Sequence, residues 1–325
     1  MKKHLFRWVT LAIIAVLLVC AGYTQSEASR KPISIGGSNP GGTAFIVGTA
    51  FASIVNANVP YVTLTHEVTA GGRDNITFTQ SGEIDFGYGF SGFLYEAYRG
   101  IGDYEGNPHG MLRAFMPWWD YPVQIVVLAD SDIRSISDLR GRRVGVNVMG
   151  SGAYKTSMQV FSTLGMEKDV DYQPFYLAFQ ESIDALAMRR IDAQVFTVGA
   201  PMPALLEMGM THDFRVLPFT YEEMRKISDR FPYYSPGIMP AGTYPNIQED
   251  VPTLMAFTIV WINADVPEQT AYDILKAIWD NRADLEMAHP VTRDIGPELV
   301  QRGLLGVASL HPGAERFYRS IGVIE

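Results

Sequence analysis

Cysteine is all but absent from this chain: Cys20 is the only one among 325 residues, and it lies in the N-terminal leader. With the leader removed no thiol remains, which excludes disulfides, zinc–thiolate centres and cysteine nucleophiles together. Ordered catalytic spacing is missing as well. No H-E-x-x-H or G-x-S-x-G occurs, and His66, His109, His212, His289 and His311 are scattered without metal-ligand spacing. His289 and His311 each precede a proline and read as turn residues, and Asp130 and Asp132 read as turn and cap residues rather than a catalytic pair. "GSGAYKT" is no P-loop, because Lys155 does not directly follow a glycine. The expectation is a protein with no catalytic residues, no metal and no cofactor.

Positive charge is also scarce. Lys and Arg number 26 against 35 Asp and Glu, a net charge of −9 that becomes −11 without residues 1–28. An acidic protein of this kind is poorly suited to nucleic acid or anionic lipid. Long hydrophobic runs are limited to one, the thirteen residues from Val9 to Ala21. They fall short of the roughly 20 that cross a bilayer. With Lys2, Lys3 and Arg7 ahead of them and small residues at Ser26 and Ala28, they are expected to be a signal peptide, residues 1–28, cleaved near Ala28. That makes the protein periplasmic. Lipidation at Cys20 is the competing reading, disfavoured by the bulky Val19 before it.

What is present is an alternation of strand and helix signals. Hydrophobic content of 47% against 19% charged residues is that of a globular chain, long enough for two domains. "KPISIGG", "YVTLTHEV" and "IDFGYGF" read as strands, separated by helices in "GGTAFIVGTAFASIVNAN" and "RDNITFTQSGE". A second unit starts near "YPVQIVVLAD", with a strand at Arg143–Val148 and a helix in "AYKTSMQVFSTLGM". "MRRIDAQVF" repeats "QSGEIDFGYGF" about 107 residues later, each a helix end, an Ile-Asp pair and an apolar strand. The Pro-rich stretch Phe231–Pro252 is read as an irregular crossing loop, "TLMAFTIVWINAD" as a further strand, and Pro267 onward as one helix. The fold class is therefore α/β, with two Rossmann-like domains and a hinged cleft between them.

Four glycine-rich turns follow strands: Gly36–Gly42, Gly71–Gly72, Gly87–Gly92 and Gly150–Gly152. In parallel α/β sheets such turns share the edge where ligands bind, and glycine lets backbone approach a ligand. Ser38, Thr43, Ser91 and Ser151 add hydroxyls there. "GYGFSG" matches the dinucleotide fingerprint literally, but it falls on the third strand, its helix is about two turns long, and an exported protein leaves the cofactor pool. A cleft site is expected instead of NAD.

"GGTAF", "TAGGRDNI", "SGEIDFGYGFSGFLYEAY", "DLRGRRVGVNVMGSG", "DAQVFTVGAP", "PAGTYP" with "EDVPT", and "HPGAERFYR" occur in this order over some 280 residues. Through them the chain resembles the TAXI-type solute-binding proteins of TRAP transporters, which implies a type II periplasmic binding protein fold. The resemblance implies domain I at 29–118 with 236–325, domain II at 119–235, a monomeric receptor, and delivery of a small organic acid to a TRAP membrane permease, in fused form. A signalling partner in place of the permease is the alternative. The implied ligand-binding residues are Ser38, Gly42, Thr43, Phe45, Gly72, Arg73, Phe90, Ser91, Trp119, Tyr121, Ser151, Gly152, Ala153, Thr197 and Gly199. The chain departs from relatives at Ala44-Phe45, where tyrosines are usual, and at Phe90 and Gly92, where polar residues are usual. With Trp118, Trp119 and Tyr121 nearby, these departures favour an apolar or aromatic ligand body. Arg73 is read either as a partner for a ligand carboxylate or as a solvated surface arginine. An extended segment sends Trp118 and Trp119 to opposite faces, so at most one meets the ligand.

Overall fold

The computed structural model describes residues 30–38, 40 and 43–325. The expected leader with Cys20, and the site residue Gly42, lie outside the described residues. The chain runs β1 (Lys31–Gly36), α1 (Thr43–Asn58), β2 (Val62–Glu67), α2 (Gly72–Ser81), β3 (Phe86–Phe90) and α3 (Ser91–Arg99) before the 17-residue strand β4 (Leu112–Leu128). Then follow β5 (Arg143–Gly145), α4 (Gly152–Thr163), β6 (Gln173–Phe175), α5 (Phe179–Ala187), β7 (Ala193–Thr197), α6 (Pro203–Gly209), β8 (Phe214–Val216) and α7 (Tyr221–Arg230). The chain returns through β9 (Ser235–Met239) and β10 (Val251–Asn263) and ends in α8 (Glu268–Asp280), α9 (Arg282–Ala288), α10 (Pro297–Gly303) and α11 (Pro312–Ser320).

The strands form one path, β2-β1-β3-β10-β4-β7-β5-β6, with β8 beside β4 and β9 beside β10. It divides into two parallel half-sheets, β1–β3 and β5–β7. Two long strands join the halves, β10 beside β3 of the first and β4 beside β7 of the second. β4 pairs β10 as far as Pro122 and then pairs β7 and β8 from Val123 to Leu128. β10 pairs β9 over Val251–Met255 and β3 over Thr258–Ile262. The stretch Phe231–Pro252 is thus not all irregular, since Ser235–Met239 is a strand on the free edge of β10. The expected strand Arg143–Val148 ends at Gly145, because Asn147 takes a left-handed backbone with φ 68. The last long helix breaks at Asn281, whose φ of −112 and ψ of 31 leave the helical region.

The repeated Ile-Asp pair has a physical basis. Asp85 accepts the backbone N–H of Ser34 on β1 at 2.8 Å, and Asp192 accepts that of Arg143 on β5 at 2.8 Å. Each carboxylate ties the start of its strand to the neighbouring parallel strand, at equivalent places in the two half-sheets. The preceding isoleucines, Ile84 and Ile191, are buried. Behind the sheets the core is continuous from Ile33 and Phe51 through Trp118 to Trp261 and Phe317, with a second cluster around Phe196, Leu205, Phe214 and Tyr244.

Alternation fails at the two tryptophans. Thr258 pairs Trp119 while the next residue, Ile259, pairs Pro117, so Trp118 is an extra residue in β4, a β-bulge. Pro117, with no N–H to offer the ladder, sits where the register breaks. The bulge turns both indoles to one side, where they stack with centroids 5.5 Å apart and planes 18° off parallel.

Candidate functional site

Parallel strands put their C-terminal ends on one edge, and here two such edges face each other. Phe90 at the end of β3, Thr258 and Trp119 lie in one register row. Thr197 at the end of β7 pairs Val123. Only the stretch of β4 from Trp119 to Val123 separates the edges, ~13 Å of extended chain. Trp119 and Tyr121, on the same face of β4, lie between the edges and are both buried.

The wall of the first half-sheet is a run of rings. Phe45 lies 4.6 Å from His66, His66 6.0 Å from Tyr88, Tyr88 4.4 Å from Trp118, and Trp118 stacks on Trp119. The Tyr88 hydroxyl contacts His66 Nε2 at 3.1 Å and Ser38 Oγ at 3.4 Å. Burial pushes Tyr88 up to about 12 and lowers His66, so both are neutral at pH 7. Thr43 Oγ1 lies 3.5 Å from His289 Nε2. The opposite wall comes from the second half-sheet. Ser151 N-caps α4, accepting from Tyr154 N–H at 3.1 Å while its own hydroxyl donates to the Val148 carbonyl. Gly152 and Ala153 follow in the first helical turn, whose N–H groups have no intrahelical partners. Thr197 ends β7 and Gly199 follows two residues later, where an added methyl would stand 3.7 Å from Val291.

The remaining expected residues gather at one closed end. Phe90 is buried, edge-on to Phe93 at 5.7 Å and to Tyr233 at 5.5 Å. Ser91 is fully buried and donates to the Tyr233 carbonyl at 3.4 Å. Gly72 packs under Phe93 and Gly89. Arg73 pairs with Asp103 at 2.6 Å, with its guanidinium 5.9 Å from the Phe93 ring centre. Asp103 in turn holds Lys155 of α4 at 2.9 Å, and Lys155 also pairs with Glu96 of α3. Burial raises the Asp103 carboxyl, but its bond to Lys155 and the charges of Lys155 and Arg73 outweigh this and leave it below the ordinary range. Tyr233, Gln159 and the backbone N–H of Asp103 also donate to Glu96. Of the expected residues, Phe90, Ser91, Gly72 and Arg73 are committed to packing or to ion pairs, and Trp119 and Tyr121 are buried.

Sequence reasoning missed His66, Tyr88 and Lys155 as neighbours of this space. One signal was present: Gly48, in the middle of α1, is costly for a helix unless something approaches. A methyl there would meet His66 Nε2 at 2.6 Å. The two histidines read as turn residues do cap helical turns, with Nδ1 of His289 and His311 accepting the N–H of Val291 and Gly313. Asp130 and Asp132 pair at the surface with Arg189 and Arg142. Among the described residues no helix is long and apolar enough to cross a membrane, and no cluster of three or more His, Cys, Asp or Glu could hold a metal.

Two half-sheets joined by long strands, with facing C-terminal edges, form the α/β architecture of periplasmic binding proteins. Solved structures agree. The periplasmic aliphatic sulphonate binding protein SsuA from Escherichia coli is 17% identical, covering 91% of this chain and 95% of its own, with a TM-score of 0.50. XAC2383 from Xanthomonas citri, bound to chloride ion, is 12% identical over 89% of this chain and 99% of its own, TM-score 0.55. A TctC solute binding protein from Polaromonas is 13% identical over 92% and 96%, TM-score 0.53. The chain belongs to the NMT1-like family, a family of periplasmic solute-binding proteins, which matches residues 35–322.

Proposed function

We propose that this protein is the periplasmic receptor of a TRAP transporter, of the TAXI type, and that it captures a small organic acid with an apolar or aromatic body for delivery to a membrane permease. The observation that carries the ligand class is the aromatic backing of one side, where Phe45 and His66 pack in line with the buried rings of Tyr88, Trp118 and Trp119. The facing edge adds apolar surface left in solvent: Val148, Met149 (64% exposed), Tyr176 and Phe179. Isolated exposed apolar residues are ordinary, but a group at the edge of a cleft suits a ligand or closure. The seven sequence segments quoted above support the TAXI assignment. Ser38, Thr43, Phe45, Trp119, Tyr121, Ser151, Ala153, Thr197 and Gly199 line the ligand space in this reading. Residues 29–118 with 236–325, and 119–235, close as two bodies over the ligand, which stabilises the closed form by touching both.

Mass spectrometry of ligand released from the purified, mildly denatured protein tests the ligand class. Titration calorimetry of the released compound follows, alongside aromatic and aliphatic carboxylates and sulphonates, since the E. coli neighbour is a sulphonate binder. Tight binding of aliphatic sulphonates alone would replace the proposed class. Trp119→Phe is expected to abolish most of the fluorescence change on binding. Trp118→Phe should keep most of it, because Trp118 is fully buried. An unchanged signal in both variants would remove the aromatic wall from the site.

A further inference from the structure

Four side chains on three elements and the first turn after β1 form a line of hydrogen bonds ending at the proposed ligand space. Thr49 Oγ1 lies 3.1 Å from His66 Nδ1, His66 Nε2 lies 3.1 Å from Tyr88 Oη, and Tyr88 Oη lies 3.4 Å from Ser38 Oγ. The imidazole in the middle is clamped by backbone. A methyl on Gly37 or Gly48 would come within 2.5 or 2.6 Å of its Nε2, so both glycines exist beside the ring without a Cβ. The ring cannot turn away without losing both partners.

The protons along this line can be counted. Thr49 has one hydroxyl hydrogen, and it donates to the Phe45 carbonyl one turn back at 2.9 Å. Thr49 Oγ1 therefore accepts from His66 Nδ1–H. A neutral imidazole then has a lone pair on Nε2, so Tyr88 donates its hydroxyl hydrogen there. The Tyr88 oxygen accepts in turn, and the Ser38 hydrogen points toward it.

We propose that Thr49, His66, Tyr88 and Ser38 are a hydrogen-bond relay of fixed direction that leaves Ser38 Oγ a pure acceptor, so that this end of the site takes a ligand N–H or O–H donor, an amine or hydroxyl, and not a carboxylate. The inference rests on the cleft being the ligand site, and it narrows the ligand to an acid that also carries a donor, as an amino acid does. It assigns specificity to His66 and Tyr88, which touch the ligand only through Ser38.

The relay reverses when His66 gains a proton. Both ring nitrogens then donate, Tyr88 passes its hydrogen to Ser38, and the Ser38 hydrogen is released toward the ligand. The groups facing the ring are Phe45, Gly48 and Thr49 from α1, Ile35 and Gly37 from the β1 side, and Tyr88 from β3; none is charged, and Glu67 alternates to the opposite face of β2. Burial lowers His66, so reversal belongs below its ordinary value of 6.5.

Imidazole ¹⁵N NMR on ¹⁵N-histidine-labelled full-length protein, with His66 assigned by its loss in His66→Gln, reads the direction. The relay requires the Nδ1–H tautomer at pH 7.5; the Nε2–H tautomer overturns it. A probe pair reads the consequence: L-phenylalanine and 3-phenylpropanoate share a body and a carboxylate but differ in the amine. L-phenylalanine is expected to bind at least tenfold tighter to the native protein, and Tyr88→Phe should cut that preference below threefold. Equal binding of both probes by the native protein overturns the acceptor assignment. Binding of neither probe counts against the ligand class proposed above, while the tautomer still decides the relay.

Discussion

Trp261→Ala is expected to lower stability by about 3–5 kcal/mol, the range for removing a fully buried large aromatic side chain. Trp261 lies on β10 with no exposed surface, and its Nε1 donates to Thr79 Oγ1 on α2 at 3.1 Å. Its ring fills the space left by two glycines of "GYGFSG". A methyl on Gly87 would stand 2.5 Å from Trp261 Nε1, and one on Gly89 would stand 2.8 Å from the Gly72 Cα and 3.2 Å from the indole. These glycines therefore let α2 and an indole lie flat on β3; no phosphate is needed to explain them. Urea unfolding measures the loss. A cost under about 1 kcal/mol would mean that the indole is not what the glycines accommodate. Gly89→Ala should destabilise too, by the 1–3 kcal/mol typical of overpacking, since the opposing atom is backbone and cannot rotate away.

Lys155→Met is the second large effect, expected near 3–5 kcal/mol because it strands a buried charge. The Glu96 side chain is 6% exposed and that of Lys155 13%. With the ammonium removed, Glu96 keeps Tyr233, Gln159 and the long bond from the Asp103 N–H as partners, and no cation. Adding Glu96→Gln should return much of the loss, which a double-mutant cycle in urea will show; simple additivity of the two costs would sink the pairing. Acid should weaken the same contact. Asp103 is held below its ordinary value of 3.8, so its contribution is complete above that value and disappears as pH falls through the lower folded value. A stability profile that is flat from pH 6 down to pH 3 in the native protein relative to Asp103→Asn would contradict this.

The legible part of the molecule was that governed by local spacing. Periodicity located β1, β2, β3 and the helices between them, and the Ile-Asp repeat announced two half-sheets because the same carboxylate-to-strand tie occurs in both. "GYGFSG" was legible as the end of β3 running into a helix, but Phe90 and Ser91 are packed against Tyr233, 142 residues from Ser91. No local pattern encodes such a partner. The bulge at Trp118 was hidden for a similar reason: strand alternation predicts opposite faces, and only pairing with β10 shows the extra residue. Lys155 was considered solely as a phosphate ligand, whereas its partners lie 59 and 52 residues upstream.

The two joining strands have a mechanical consequence. β4 and β10 are paired to each other from Met255 to Asn263; β10 also pairs β3 of the first half-sheet, and β4 continues to pair β7 of the second. A ladder of hydrogen bonds resists sliding and stretching, since either would break every rung together, but it bends and twists with little change at each rung. The pair therefore behaves like a leaf spring: it admits rotation of one half-sheet over the other and blocks shear. Trp119 and Tyr121 sit on the leaf itself. A molecule resting on them would feel the curvature of the strand, and the strand would in turn be flexed by what rests on it.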